Sequence, residues 1–116
     1  MELKIKVNVI DDENKSIIGP GIFELLKNIK HEKSINKAAK KMNLSYVKAL
    51  KLLKNMEDNI GKKLLIKKKG GNDRGGTILT PSGIELIKEF GRMQREINDF
   101  SEKKFQQFIK KVTDES

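Results

Sequence analysis

The spacing of apolar positions changes several times along this chain, and each change marks an element. Residues 2–10 alternate, with Leu3, Ile5, Val7 and Val9 on one face and Glu2, Lys4, Lys6 and Asn8 on the other. A period of two predicts a half-buried strand. Asp11-Asp12-Glu13-Asn14-Lys15 reads as a turn, and Ser16-Ile17-Ile18 as a short returning strand. After the breaker Gly19-Pro20-Gly21 the spacing becomes helical, with Ile22, Leu25, Leu26 and Ile29 facing a core. A second, short helix follows, N-capped by Ser34. In it Ala38 and Ala39 let a neighbouring helix come close, and Asn43 suits the left-handed residue that ends it. Ser45 caps a third helix from Tyr46 to about Ile60, where Gly61 stops it; Ala49, Leu52, Leu53, Met56 and Ile60 form its buried stripe. Residues 64–69 and 77–80 read as two strands around a glycine-rich tip, residues 70–76.

Thr80-Pro81 opens the last helix, with threonine at the N-cap and proline at the first helical position. No further proline interrupts it, and the pattern runs to about Val112. Leu86, Phe90, Met93, Ile97 and Phe100 step by four, three, four and three, the spacing of a helix–helix seam, and Phe105, Phe108 and Val112 continue it after a shift of register. A helix of some thirty residues is about 45 Å long, more than a domain of this size covers, so the stripe calls for a partner. Leu86, Phe90, Met93, Ile97, Phe100 and Phe108 are the expected dimerisation residues. The fold predicted is mostly α with a small β component: a winged helix-turn-helix with an N-terminal β-hairpin and a long C-terminal dimerisation helix. Residues 1–80 are expected to form the winged helix-turn-helix domain with its N-terminal strands, and residues 81–112 the dimerisation helix.

Charge sharpens this picture. The net charge is +9, yet residues 27–69 carry fourteen lysines against Glu32, Glu57 and Asp58, so that segment is +11 and the remainder −2. Positive charge gathered on one structural unit points to a polyanion, double-stranded DNA, as partner. A helix-turn-helix places the start of its second helix in the major groove. Ser45, Tyr46, Val47 and Lys48 are therefore expected at base edges, and Lys51 and Lys54 near phosphates, with Ser34 and Lys37 beside them. Lys67, Lys68, Lys69 and Arg74 on the wing are expected at the phosphate backbone.

Other chemistry finds little purchase. With no cysteine, disulfides and thiolate metal sites are excluded. The acidic turn lacks the calcium-loop register, and the glycine tip lacks the Gly-Lys-Ser/Thr of a phosphate loop. His31, the lone histidine, reads as a helix-end residue. No nucleophile–base pair, metal cluster or carboxylate dyad emerges, so no enzyme, no metal and no cofactor is expected. Neither an 18-residue apolar run nor a signal peptide is present, which predicts a cytoplasmic protein without a membrane partner. The rival reading is a winged helix used as a protein-interaction module, its basic face meeting an acidic partner.

Together these residues match a known pattern. The chain resembles the N-terminal DNA-binding domain of the molybdate-responsive ModE regulators and, more distantly, that of LysR-type regulators. The shared marks are Ser34-Ile35 before Ala38-Ala39, Leu44-Ser45, Glu57, Gly61, and Leu79-Thr80-Pro81-x-Gly83. Gly19-Pro20-Gly21, Ser45-Tyr46, Ala49 and the double-glycine wing are similar to the ModE side in particular. The resemblance spans roughly residues 3–100 and implies a homodimer on a palindromic operator. Family members usually carry C-terminal molybdate-binding domains. The sequence stops at Ser116 without the Ser-Ala-Arg-Asn element of such domains, so the expectation is a reader lacking a molybdate sensor, with a separate sensor protein left open as a partner.

Overall fold

The computed structural model describes residues 1–68 and 76–113. In chain order the described elements are β1 (Val9–Ile10), β2 (Ser16–Ile18), α1 (Pro20–Glu32), α2 (Ile35–Lys41), α3 (Tyr46–Ile60), β3 (Leu65–Lys67), β4 (Thr77–Leu79) and α4 (Pro81–Thr113). The strands pair as two separate antiparallel hairpins, β1 with β2 and β3 with β4. This is a winged helix-turn-helix with a long terminal helix.

Local signals set the helix boundaries. The hydroxyls of Ser34 and Ser45 each accept from the backbone N–H three residues on, at 3.0 Å, so both helices of the helix-turn-helix are side-chain capped. Asn43 (φ 56°) takes the left-handed conformation between them, and Gly61 (φ 76°) does so after α3, its N–H donating to the Glu57 carbonyl. Leu25, Leu26, Ile29, Ile35, Ala38, Ala39, Ala49 and Met56 are buried where α1, α2 and α3 meet. The two alanines keep that junction tight, and Leu64, Leu79 and Phe90 complete the core from the wing and α4.

Three expectations need correction. The alternation over residues 2–10 yields a strand of only Val9–Ile10, because its partner is three residues long and the register already shifts between Val9 and Ile10. Leu3 and Ile5 remain 41% exposed and line a groove with Phe100, Phe105 and Phe108 of α4 instead of joining a sheet. Phe90 is only 4% exposed, 5.1 Å from Phe23, so it serves its own core and not a seam with a second chain. Leu86, half-buried, also packs on that core. The wing strands, Leu65–Lys67 and Thr77–Leu79, are shorter than expected, although the Thr80 N–H to Leu64 carbonyl bond at 3.0 Å and the Lys68 N–H to Gly76 carbonyl bond at 2.9 Å carry their register one pair further at each end. The wing tip, with Lys69 and Arg74, lies outside the described residues.

Beyond Gly91 the terminal helix leaves the domain. The radius of gyration is 17.8 Å, against about 13 Å for a compact chain of this length, and the long axis reaches 68 Å. Phe100, Phe108 and Val112 stand 64%, 56% and 59% exposed on this projection.

Candidate nucleic-acid interface

The outward face of α3 lies between two hairpins. Leu50, Leu53, Lys54 and Glu57 line a groove with Leu65, Ile66 and Lys67 of the wing. Val47, Lys48, Lys51, Leu52 and Asn55 line another with Lys15 and Ser16 of the N-terminal hairpin. At about 100° of helix rotation per residue, Val47, Lys51 and Lys54 point outward between these flanks, and Val47 is 61% exposed. An exposed valine beside lysines has no packing role here, and its methyls suit contact with the thymine methyl in a major groove.

Charge pairing sorts the cations. Lys48 and Lys51 have no ion-pair partner among the described residues, and the same holds for Lys37, Lys40 and Lys68. Lys54 lies 3.8 Å from Asp58. Lys41 sits 2.7 Å from Glu32, and its hydrogen bond to that carboxyl holds Glu32 below the ordinary carboxylate range. Lys67 donates to the Tyr46 hydroxyl at 3.3 Å, with its ammonium 5.7 Å from the ring centroid. Tyr46 thus ties the start of α3 to the wing and, partly buried, packs against the core. Lys67 joins Tyr46 on one flank, Lys48 and Lys51 lie toward the other, and Ser34 and Ser45 have their hydroxyls engaged as caps.

Glu57 and Gly83 have positioning roles and were visible in the sequence only as parts of a resemblance, while Thr80 was legible as an N-cap. The Glu57 carboxylate, largely buried, accepts from the backbone N–H groups of Leu64 and Leu65 at 2.7 and 3.2 Å, with Lys63 at 3.8 Å. It anchors the base of the wing to α3 through charge-assisted bonds. Thr80 donates its hydroxyl to the Lys63 carbonyl at 2.7 Å and accepts from the Gly83 N–H at 3.1 Å. Gly83 packs so closely that a Cβ there would lie 2.4 Å from the Leu64 carbonyl oxygen. The Thr-Pro-x-Gly string is therefore the joint at which wing and terminal helix meet. On the far side the Thr77 N–H donates to the Lys33 carbonyl at 2.9 Å, fixing β4 to the end of α1.

A helix-turn-helix with both helices capped, an outward cationic face on its second helix and a wing held against that helix defines a DNA-binding domain. The chain belongs to the lysR family of bacterial regulatory helix-turn-helix proteins, which it matches over residues 22–84. It is 36% identical over 78 residues to the molybdenum transport protein ModE of Herbaspirillum seropedicae, a match covering 67% of this chain and 29% of that protein. The domain is ModE-like, and the chain spans under a third of that relative's length. Among the described residues no helix is long and apolar enough to cross a membrane.

Proposed function

We propose that this protein is a cytoplasmic, homodimeric, sequence-specific transcription regulator. In this reading residues 1–80 hold DNA with α3 in the major groove, and residues 81–112 join two copies through Met93, Ile97, Phe100 and Phe108. The observation that carries it is the outward face of α3: Val47 exposed, Lys48 and Lys51 without an ion-pair partner among the described residues, and a wing pinned alongside by Glu57. Val47 and Lys48 read base edges, Tyr46 sets the wing against the helix, and Lys37, Lys51, Lys54, Lys67 and Lys68 meet phosphates, with Lys69 and Arg74 of the tip assigned there by charge alone.

A mobility-shift assay on fragments of the host genome tests this. A sequence-dependent shift is expected, with a log–log salt slope of roughly −5 to −9 for a dimer making three to five phosphate contacts per protomer. Lys51→Glu abolishes the shift while leaving the far-UV circular dichroism unchanged. Undiminished binding by that variant would remove α3 from the interface.

A further inference from the structure

The N-terminal hairpin flanks α3 on the side away from the wing. On a helical projection the wing-facing residues Leu50 and Glu57 lie roughly 70–90° to one side of the outward face, and the hairpin-facing residues Lys48, Leu52 and Asn55 roughly 70–130° to the other. The hairpin is fastened there, since the Asn55 amide donates to the Ser16 carbonyl at 3.3 Å. Its turn is built rigidly: the Asp11 carboxylate accepts from the N–H groups of Glu13 and Lys15 at 2.8 and 2.9 Å, and the Asp11 N–H donates to the Lys15 carbonyl at 2.8 Å. Asp11 is consequently engaged with its own backbone. Of the turn's side chains only that of Lys15 lines the groove, across from Ser45, Lys48 and Lys51. Among the described residues its one ion-pair partner is the exposed Glu13, at 3.7 Å.

The geometry points to the β1–β2 hairpin as a second wing, with Lys15 binding a DNA backbone phosphate on the flank of the major groove opposite the β3–β4 wing. Three ammonium groups facing one open groove suit a phosphodiester, whose negative charge recurs along each strand. A helix seated in a major groove has a phosphate strand on either side, and the β3–β4 wing serves only one of them. Glu13 competes for Lys15 in the free protein, so binding exchanges a solvent-screened pair for a phosphate contact.

This rests on the DNA-binding reading above, and the test separates the two. Binding to a selected operator fragment is titrated against salt by fluorescence anisotropy for the wild type, Lys15→Ala, Glu13→Gln and Lys51→Glu. One phosphate lost per protomer of a dimer reduces the salt slope by about 1.8. Lys15→Ala is therefore expected to weaken binding about tenfold, alike on operator and unrelated DNA. Glu13→Gln is expected to tighten it a few-fold. Phosphate-ethylation interference with Lys15→Ala should lose its signal on the flank away from the wing and keep it on the other. An unchanged slope for Lys15→Ala, with Lys51→Glu still inactive, overturns the second wing and leaves the regulator reading standing. A wild type that binds no DNA overturns both. Unfolding midpoints matched to the wild type show that any loss is not a folding defect, since Lys15 is exposed and holds no core contact.

Discussion

Gly83→Ala and Gly91→Ala place the same methyl group on the same helix and should move stability in opposite directions. At Gly83 the new Cβ would lie 2.4 Å from the Leu64 oxygen, 3.3 Å from its carbonyl carbon and 3.3 Å from the Leu79 Cβ. Relief requires backbone to retreat by most of an ångström, and that backbone is pinned. The Leu64 oxygen accepts from Thr80 at 3.0 Å, and the Leu64 N–H is held by Glu57. Overpacking of about 1–3 kcal/mol adds to about 1–3 kcal/mol for a buried hydrogen bond left unmade. The helix-propensity gain of about 1 kcal/mol offsets part, leaving a net loss of about 1–5 kcal/mol. With an unfolding entropy near 2.1 cal/mol/K per residue, a chain of 116 residues loses about 4 °C of Tm per kcal/mol. The expected fall is then about 4–20 °C by differential scanning calorimetry. At Gly91 the nearest atoms are the Phe23 ring tip at 3.3 Å and the Arg95 guanidinium at 3.4 Å, both ends of side chains that can give way. The propensity gain dominates there, and Tm should hold or rise by up to about 4 °C. A Gly83→Ala protein within 2 °C of wild type would refute the joint between wing and terminal helix.

Other perturbations probe the remaining links. Glu57→Ala leaves the Leu64 and Leu65 N–H groups without their carboxylate and should cost about 2–3 kcal/mol in urea unfolding; it should also weaken DNA binding more than Lys63→Ala, which leaves the two backbone bonds intact. Glu32 has its folded pKa depressed by Lys41, so its contribution is present above the unfolded value near 4.5 and fades as pH falls through the lower folded value. Lys41→Met should flatten that acid limb in unfolding curves taken from pH 6 to pH 3, and an unaltered limb would remove the pair from the account. Phe100→Glu, on a residue 64% exposed, should leave Tm at low concentration within a few degrees yet shift sedimentation toward monomer; a dimer that persists would place the association elsewhere.

Much of the fold could be read because its signals are local. Ser34, Asn43, Ser45, Gly61 and Thr80 act on backbone within three or four residues, and each sits where its chemistry predicts. What escaped depends on contacts distant along the chain. Glu57 reaches seven and eight residues ahead to the wing, and Gly83 is small because a carbonyl nineteen positions earlier passes over it. Phe90 fits a seam by spacing, but spacing cannot say whether the facing surface belongs to the same chain, and Phe23 supplies it. Alternation in residues 2–10 anticipates a strand, yet a strand needs a partner edge, and the returning segment offers only three residues. The place of Lys15 beside α3 escaped as well, since the packing of β2 on α3, with the Asn55–Ser16 bond spanning 39 positions, brings that turn there.

The joint at Leu64, Thr80 and Gly83 also makes the terminal helix a lever. From Pro81 to Phe108 it runs about 40 Å, so a tilt of about 5° at the joint swings its tip by roughly 3–4 Å. In a dimer clasped through those tips, play at the joint translates directly into tolerance for the spacing between half-sites. Stiffness at one glycine and one carbonyl would then decide how wide a range of operators two linked heads accept.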